Sequence, residues 1–293
     1  MDDLAAIAEA VGKGQCILFL GAGVHYGPPA GADQKYLDAY PEARRPPLGR
    51  ALSVTLAEES EYLKRFPGWD VGDLKRVAWH YEDTLSRSRL MKRMKEEVHV
   101  NKIASPVVRG LAALDFPLVM TTNYDQLFEQ SLRAAGKDPQ LCVYSPSAKN
   151  PTEDPTDDPT PANPFVCKLH GDIDVPDSAV LTDEDYIQFV LRMSDKAPFH
   201  PVPETFLYRF KRWPTLFIGY SLIDYNLRLL FKAMRVNLDP ALFPETYSID
   251  PKPDQLIVRY WSDQRRYVRF VMQDVWSFVP ALYEAIKKTP MPA

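Results

Sequence analysis

Cys16-Ile17-Leu18-Phe19-Leu20-Gly21-Ala22-Gly23 opens with five consecutive apolar residues and stops on a pair of glycines. A strand with one wet face alternates apolar and polar residues, so an unbroken apolar run suits a parallel strand covered on both faces. Glycine at its end lets the chain turn sharply and lets backbone N–H groups approach a phosphate. The fingerprint of hydride-transferring dehydrogenases needs a third glycine at position 26. Tyr26 stands there, Gly27 comes one place late, and a proline-rich loop to about Pro47 replaces the short βαβ unit. These departures count against such a dehydrogenase.

Similar runs follow at 116–121, 141–144, 165–169, 215–219, 247–249 and 267–272. Between them the spacing predicts helices over 2–13, 48–66, 71–98, 106–114, 125–135, 222–236 and 275–287, with Thr182 capping another. Alternating strands and helices predict an α/β fold, a Rossmann-like doubly wound parallel sheet. One domain over 1–293 is expected, with a helical insertion at about 48–114. The Pro/Asp/Thr-rich stretch 150–164 cannot bury a core and should be an exposed loop.

A chain of 293 residues buries a sizeable core without disulfides. Its formal net charge of -4 sets up no field that would gather nucleic acid, so strong direct nucleic-acid binding by this chain alone is not expected. The local basic clusters at 87–95 and 259–269 read as a solvated helix face or strand edge. Cys16, Cys142 and Cys167 lie in or beside apolar runs and no two have metal-ligand spacing. They read as small hydrophobes in a reducing cytoplasm, and no metal is expected. No run approaches the roughly 20 apolar residues of a membrane span, and residues 1–15 lack the basic start of a signal peptide, so no membrane association is expected.

Ligands of open α/β sheets bind outside the carboxyl ends of the strands. Four such ends carry polar residues: Gly21-Ala22-Gly23, Thr121-Thr122-Asn123-Tyr124-Asp125, Lys168-Leu169-His170-Gly171-Asp172 and Gly219-Tyr220-Ser221-Leu222-Ile223-Asp224. Asn123 could orient a water through its amide, or be an ordinary turn residue. Asp125 could cap the helix after it. His170 could serve as a base near neutral pH, or be a satisfied polar side chain. Ser221, at a helix start, could hold a phosphate or ribose hydroxyl, or cap the helix.

In this order the four segments resemble the successive motifs of the sirtuin-like superfamily, most closely its bacterial NAD-hydrolysing, antiphage-defence branch. Leu181-Thr182 with Tyr186, and the helix carrying Arg228, are also similar to that branch. The resemblance covers roughly residues 14–280. Sirtuin deacylases carry paired CxxC motifs for zinc and a Pro-Asp-Phe-Arg segment, both absent here, which counts against deacylation. Where the family has a serine two residues after the second glycine, this chain has His25. His25 either makes a substitute contact or marks a different pocket.

The resemblance implies NAD as substrate, cleaved at the nicotinamide–ribose bond to give ADP-ribose and nicotinamide. Asn123 and His170 would be catalytic. Gly21, Ala22, Gly23, His25, Thr122, Asp125, Gly219, Ser221 and Asp224 would bind the dinucleotide. A deacylase, an ADP-ribosyltransferase and a non-catalytic NAD or ADP-ribose sensor are the alternatives, and the presence of both Asn123 and His170 favours an enzyme. An unrestrained NAD hydrolase would harm its own cell. Control is therefore expected from a homo-oligomer, from a partner, or from both. The resemblance points to a HerA-like DNA-translocating ATPase ahead of a short Argonaute. Residues 71–98 and the aromatics Trp276, Phe278 and Tyr283 are candidate contact surfaces, with internal packing the preferred use of the aromatics.

Overall fold

The computed structural model describes residues 2–147, 151–193, 195, 200–222, 244–261 and 268–293. Seven described strands form one sheet: β1 (Ile17–Leu20), β2 (Leu118–Thr121), β3 (Gln140–Val143), β4 (Phe165–Lys168), β5 (Thr215–Ile218), β6 (Thr246–Ile249) and β7 (Arg269–Val271). Their order is β3-β4-β2-β1-β5-β6-β7 and every pairing is parallel. The helices are α1 (Asp3–Gly12), α2 (Gln34–Ala39), α3 (Gly49–Glu59), α4 (Tyr62–Arg65), α5 (Leu74–Leu85), α6 (Arg87–Val98), α7 (Pro106–Ala112), α8 (Leu127–Ala134), α9 (Asp183–Arg192), α10 (Glu204–Phe210), α11 (Gln255–Trp261) and α12 (Val275–Lys287).

The apolar runs are continuous because successive side chains enter two different cores. Leu18, Leu20, Val119, Val166, Leu216 and Ile218 pack with residues of α1, α7, α8 and α12. Ile17, Phe19, Leu118, Met120, Phe165, Cys167 and Phe217 pack with α9, α10 and α11 on the opposite face. This is the doubly wound arrangement that the alternating pattern predicts. Trp276 and Phe278 are buried in the first core and Tyr283 packs against it, so these aromatics serve internal packing. The three cysteines are free and buried.

Strand β1 lies at the centre, with β2 on one side and β5 on the other. Strand order therefore reverses at β1, and the carboxyl ends of β1, β2, β4 and β5 share one edge of the sheet.

Helices α3 to α6 build a third core from Leu52, Leu56, Tyr62, Val77, Tyr81, Leu90 and Met94. It includes Ile173, Ala179 and Leu181 from the segment after β4, so the module rests on that segment. Sequence spacing predicts continuous helical stretches over 48–66 and 71–98, whereas the chain breaks at Glu61 (φ 53°) and Ser86 (φ 130°). The Ser86 hydroxyl accepts from the Arg89 N–H and starts α6 afresh. Hydrophobic periodicity runs through such a break and does not reveal it. Helix α7 joins the sheet-covering layer, so the module proper ends with α6.

Residues 151–164 contain no helix or strand and are mostly exposed, but they are tied down. The Asp154 carboxylate accepts from the N–H groups of Glu204 and Thr205 at the start of α10, and Asp158 pairs with Arg209. The expected helix over 222–236, with Asp224 and Arg228, lies outside the described residues beyond Leu222. Among the described residues no helix is long and apolar enough to cross a membrane.

Candidate active site

The glycines at the ends of β1 and β5 face one another. The Gly23 N–H donates to the Gly219 carbonyl at 3.0 Å. A Cβ on Gly21 would stand 2.5 Å from that carbonyl oxygen, and a Cβ on Gly219 would stand 2.5 Å from the Val24 nitrogen. Gly219 also has φ +78°, a conformation that side-chain-bearing residues rarely adopt. These positions are thus glycine because two backbones touch, a requirement separate from any approach of a phosphate. The Tyr220 hydroxyl donates to the Leu20 carbonyl (2.8 Å) and lies 2.9 Å from the Thr122 hydroxyl, which links the ends of β5, β1 and β2.

Above these ends opens a cleft of about 390 Å³. Ala22, His25, Thr122, Asn123, Asp125, His170, Gly219 and Ser221 all line it. Gly21 and Gly23 do not line it and act through the contact with Gly219; Asp224 lies outside the described residues. The facing wall is apolar: Pro46, Pro47, Leu52, Leu74 and Val98, with Tyr186 and Phe189 of α9. The helical module thus forms part of the cleft, which its charged sequence gave no sign of.

Asn123 is held by its own strand end. Its N–H donates to the Thr121 hydroxyl (3.0 Å) and its Nδ2 to the Gly21 carbonyl (3.3 Å). Its Oδ1 is buried and has no hydrogen-bond partner among the described residues. This orientation sets Nδ2 against the Gly21 carbonyl, where the reverse would set Oδ1, acceptor against acceptor.

His170 is 7% exposed, with the rings of Tyr186 and Phe189 set edge-on to it. Its Nδ1 lies 3.4 Å from the Tyr186 hydroxyl. Gly171 follows at φ +82°, where a Cβ would stand 2.2 Å from the Ser178 carbonyl oxygen, so glycine is required for the turn that presents the histidine.

His25 is 5% exposed, and its Nε2 lies 3.1 Å from Asp125 Oδ2. The other Asp125 oxygen accepts from the N–H of Leu127, the first residue of α8. The N-cap is Gln126, so Asp125 makes an Asx-type turn one residue before the cap rather than the expected cap itself. Burial pushes the Asp125 carboxyl up, but His25, Lys168 and the Leu127 N–H outweigh it and hold the group down at about 2.

Beneath both loops sits a residue that sequence reasoning passed over. Lys168, the last residue of β4, is 0% exposed. Its ammonium lies 2.8 Å from Glu129 and 2.7 Å from Asp172, and it donates to the backbone carbonyls of Tyr124 and Asp125. Burial disfavours the charge, yet Glu129, Asp172 and Asp125 raise the pKa, so the ammonium persists at neutral pH. The signal in the sequence was a lysine inside the apolar run Phe165-Val166-Cys167-Lys168-Leu169. Among the described residues no group of histidine, cysteine and carboxylate side chains is placed to hold a metal.

A family model described as SIR2-like domain matches residues 117–269, which span β2 to β7 and include Asn123, His170 and Gly219. The chain is 30% identical over 238 residues to the NAD(+) hydrolase ThsA of Enterococcus faecium, covering 78% of this chain and 41% of that protein. It is 27% identical over 240 residues to the ThsA of Acinetobacter baumannii, covering 74% of this chain and 45% of that protein. It is 25% identical over 166 residues to the Defense-associated sirtuin 2 of Bacillus subtilis, covering 55% of this chain and 15% of that protein. The chain thus spans less than half the length of these relatives.

The buried Asp125 generates a pH prediction. Its folded pKa lies below the ordinary carboxylate value, so its stabilising contribution is full above about pH 4 and is lost as pH falls toward 2. Asp125→Asn should therefore cost about 2 kcal/mol near neutral pH, and the gap from the parent should close in acid. Denaturant titrations across that range measure it. A gap that does not change with pH contradicts the pairing.

Proposed function

Because this chain belongs to the SIR2-like family, we propose that it binds NAD across the carboxyl edge of its sheet and hydrolyses the nicotinamide–ribose bond. The observation that carries the reading is the meeting of Asn123 and His170, from different strand ends, on one cleft at the point where strand order reverses. Relatives named NAD(+) hydrolase support NAD as the substrate and water as the acceptor over an acyl-lysine or another nucleophile. The cleft volume of about 390 Å³ falls within the ordinary range of ligand sites.

In this reading the electron pair of the breaking C–N bond passes to the nicotinamide nitrogen, so nicotinamide leaves neutral and needs no strong acid. The ribose becomes oxocarbenium-like. The Asn123 side chain, which lines the cleft, holds a ribose hydroxyl or the attacking water. The water oxygen bonds to the anomeric carbon and His170 takes its proton. Nε2 is the basic atom when Nδ1–H donates to the Tyr186 hydroxyl. Leu52, Leu74 and Val98 keep other water away from the cation. Nicotinamide and ADP-ribose are the products, and a defence role through NAD depletion follows from their formation at the expense of the cofactor pool. Restraint comes from self-association and from a separate partner, a HerA-like ATPase before a short Argonaute. An NADase rate indifferent to such a partner, with and without DNA, removes that part.

Purified protein incubated with NAD should release nicotinamide in step with ADP-ribose. Asn123→Ala and His170→Ala should each lower the rate by about 10²- to 10⁴-fold while the unfolding transition is kept. Full activity in either variant removes that residue's role, and release that requires an acetyl-lysine peptide replaces hydrolysis with deacylation.

A further inference from the structure

Beside Asn123, and bounded by Leu20, Val24, Val108 and Phe128 of the first core, lies a second and much smaller cavity. It offers about 10 Å³ to the centre of a water-sized sphere, which is room for one molecule. Its lining includes the polar residues His25, Thr121, Asn123, Asp125 and Glu129. Most of their polar atoms are satisfied. Thr121 Oγ1 donates to the Leu20 carbonyl and accepts from the Asn123 N–H, and both Asp125 oxygens are engaged. Among the described residues three lining atoms are buried without a hydrogen-bond partner: Asn123 Oδ1, His25 Nδ1 and Glu129 Oε1. The Glu129 oxygen has the Lys168 ammonium at 2.8 Å, which leaves Asn123 Oδ1 and His25 Nδ1 with nothing.

These two atoms have complementary needs. Asn123 Oδ1 accepts only. Asp125 is ionised at neutral pH and also accepts only, so His25 Nε2 carries a proton and donates to it. In the neutral ring Nδ1 is then an acceptor; in the charged ring it is a donor. Leaving two such atoms buried and unmade is costly. The two side chains are neighbours, with Asn123 Nδ2 3.5 Å from His25 Nε2; both of these nitrogens donate, so they form no direct hydrogen bond with each other. Water alone, among ligands of this size, donates to Oδ1 while serving Nδ1 as donor or acceptor in either charge state.

We propose that one ordered water occupies this cavity and joins Asn123 Oδ1 to His25 Nδ1, which makes His25 a positioning residue for the Asn123 amide. His25 is in turn aimed by Asp125, so a chain of contacts runs from the start of α8 through the histidine and the water to Asn123. This assigns the histidine that stands where the resembling family has a serine. The effect on rate rests on the NAD-hydrolase reading; the water site itself does not.

Two measurements test it. A crystal structure of the unliganded protein at atomic resolution should show a water about 2.7–3.2 Å from both Asn123 Oδ1 and His25 Nδ1. An empty cavity, or a water that reaches one atom only, overturns the bridge, whether or not the protein cleaves NAD. His25→Gln keeps an amide N–H for Asp125 and deletes the ring nitrogen that faces the water. It should lower kcat for nicotinamide release roughly tenfold or more, with KM within about twofold. An unchanged kcat overturns the positioning role, and a rise in KM alone makes His25 a direct ligand contact instead. A protein that holds the water but never releases nicotinamide would defeat the functional reading and leave the site intact.

Discussion

An ammonium group sealed from water must be surrounded by anions and carbonyls, and Lys168 gathers them from three segments of the chain. Glu129 comes from α8, Asp172 from the turn after β4, and the carbonyls of Tyr124 and Asp125 from the loop after β2. Burying that charge without these partners would cost several kcal/mol, so the two loops have few other places to go. One loop carries Asn123 and the other carries His170. The lysine therefore ties the loop that carries Asn123 to the turn that carries His170, and it is not among the residues that line the cleft.

The remaining walls of the cleft are fixed by contacts of a different kind. Backbone meets backbone where Gly21 and Gly23 face Gly219, and the Tyr220 hydroxyl ties the ends of β1 and β2. The third core rests on Ile173, Ala179 and Leu181, just beyond His170, and brings Leu52, Leu74 and Val98 over the site. Arg87 strengthens that seating, pairing with Asp185 at the start of α9 and donating to the Ala179 carbonyl. A polar floor built on strand ends and an apolar roof built on helices follow from these contacts. Such a cleft suits a ligand with polar groups on one side and an apolar group on the other.

Much of this was legible from residue order alone. Buried parallel strands announce themselves as unbroken apolar runs, because both faces are covered, and the polar residues that follow each run mark the ligand edge. The Thr182 cap was equally readable; it forms a capping box with Asp185. What escaped depends on contacts across the chain. Lys168 looks like any lysine until Glu129 and Asp172 are seen around it, and their separations of 39 and four positions carry no periodic signal. The breaks at Glu61 and Ser86 keep the apolar spacing on either side and so stay hidden. The module's part in the cleft is invisible for the same reason: the residues that line the site are drawn from the apolar face that also builds its core.

In the proposed reading the ends of β1, β2, β4 and β5 form one NAD site with Asn123 and His170 at the breaking bond. A crystal structure of the His170→Ala variant soaked with NAD tests it most directly. The dinucleotide should lie across the ends of β1 and β5, with the nicotinamide ribose within hydrogen-bond distance of Asn123 and the helical module's apolar wall facing the ring. NAD bound elsewhere, or bound here with its nicotinamide ribose turned away from Asn123, would contradict the account.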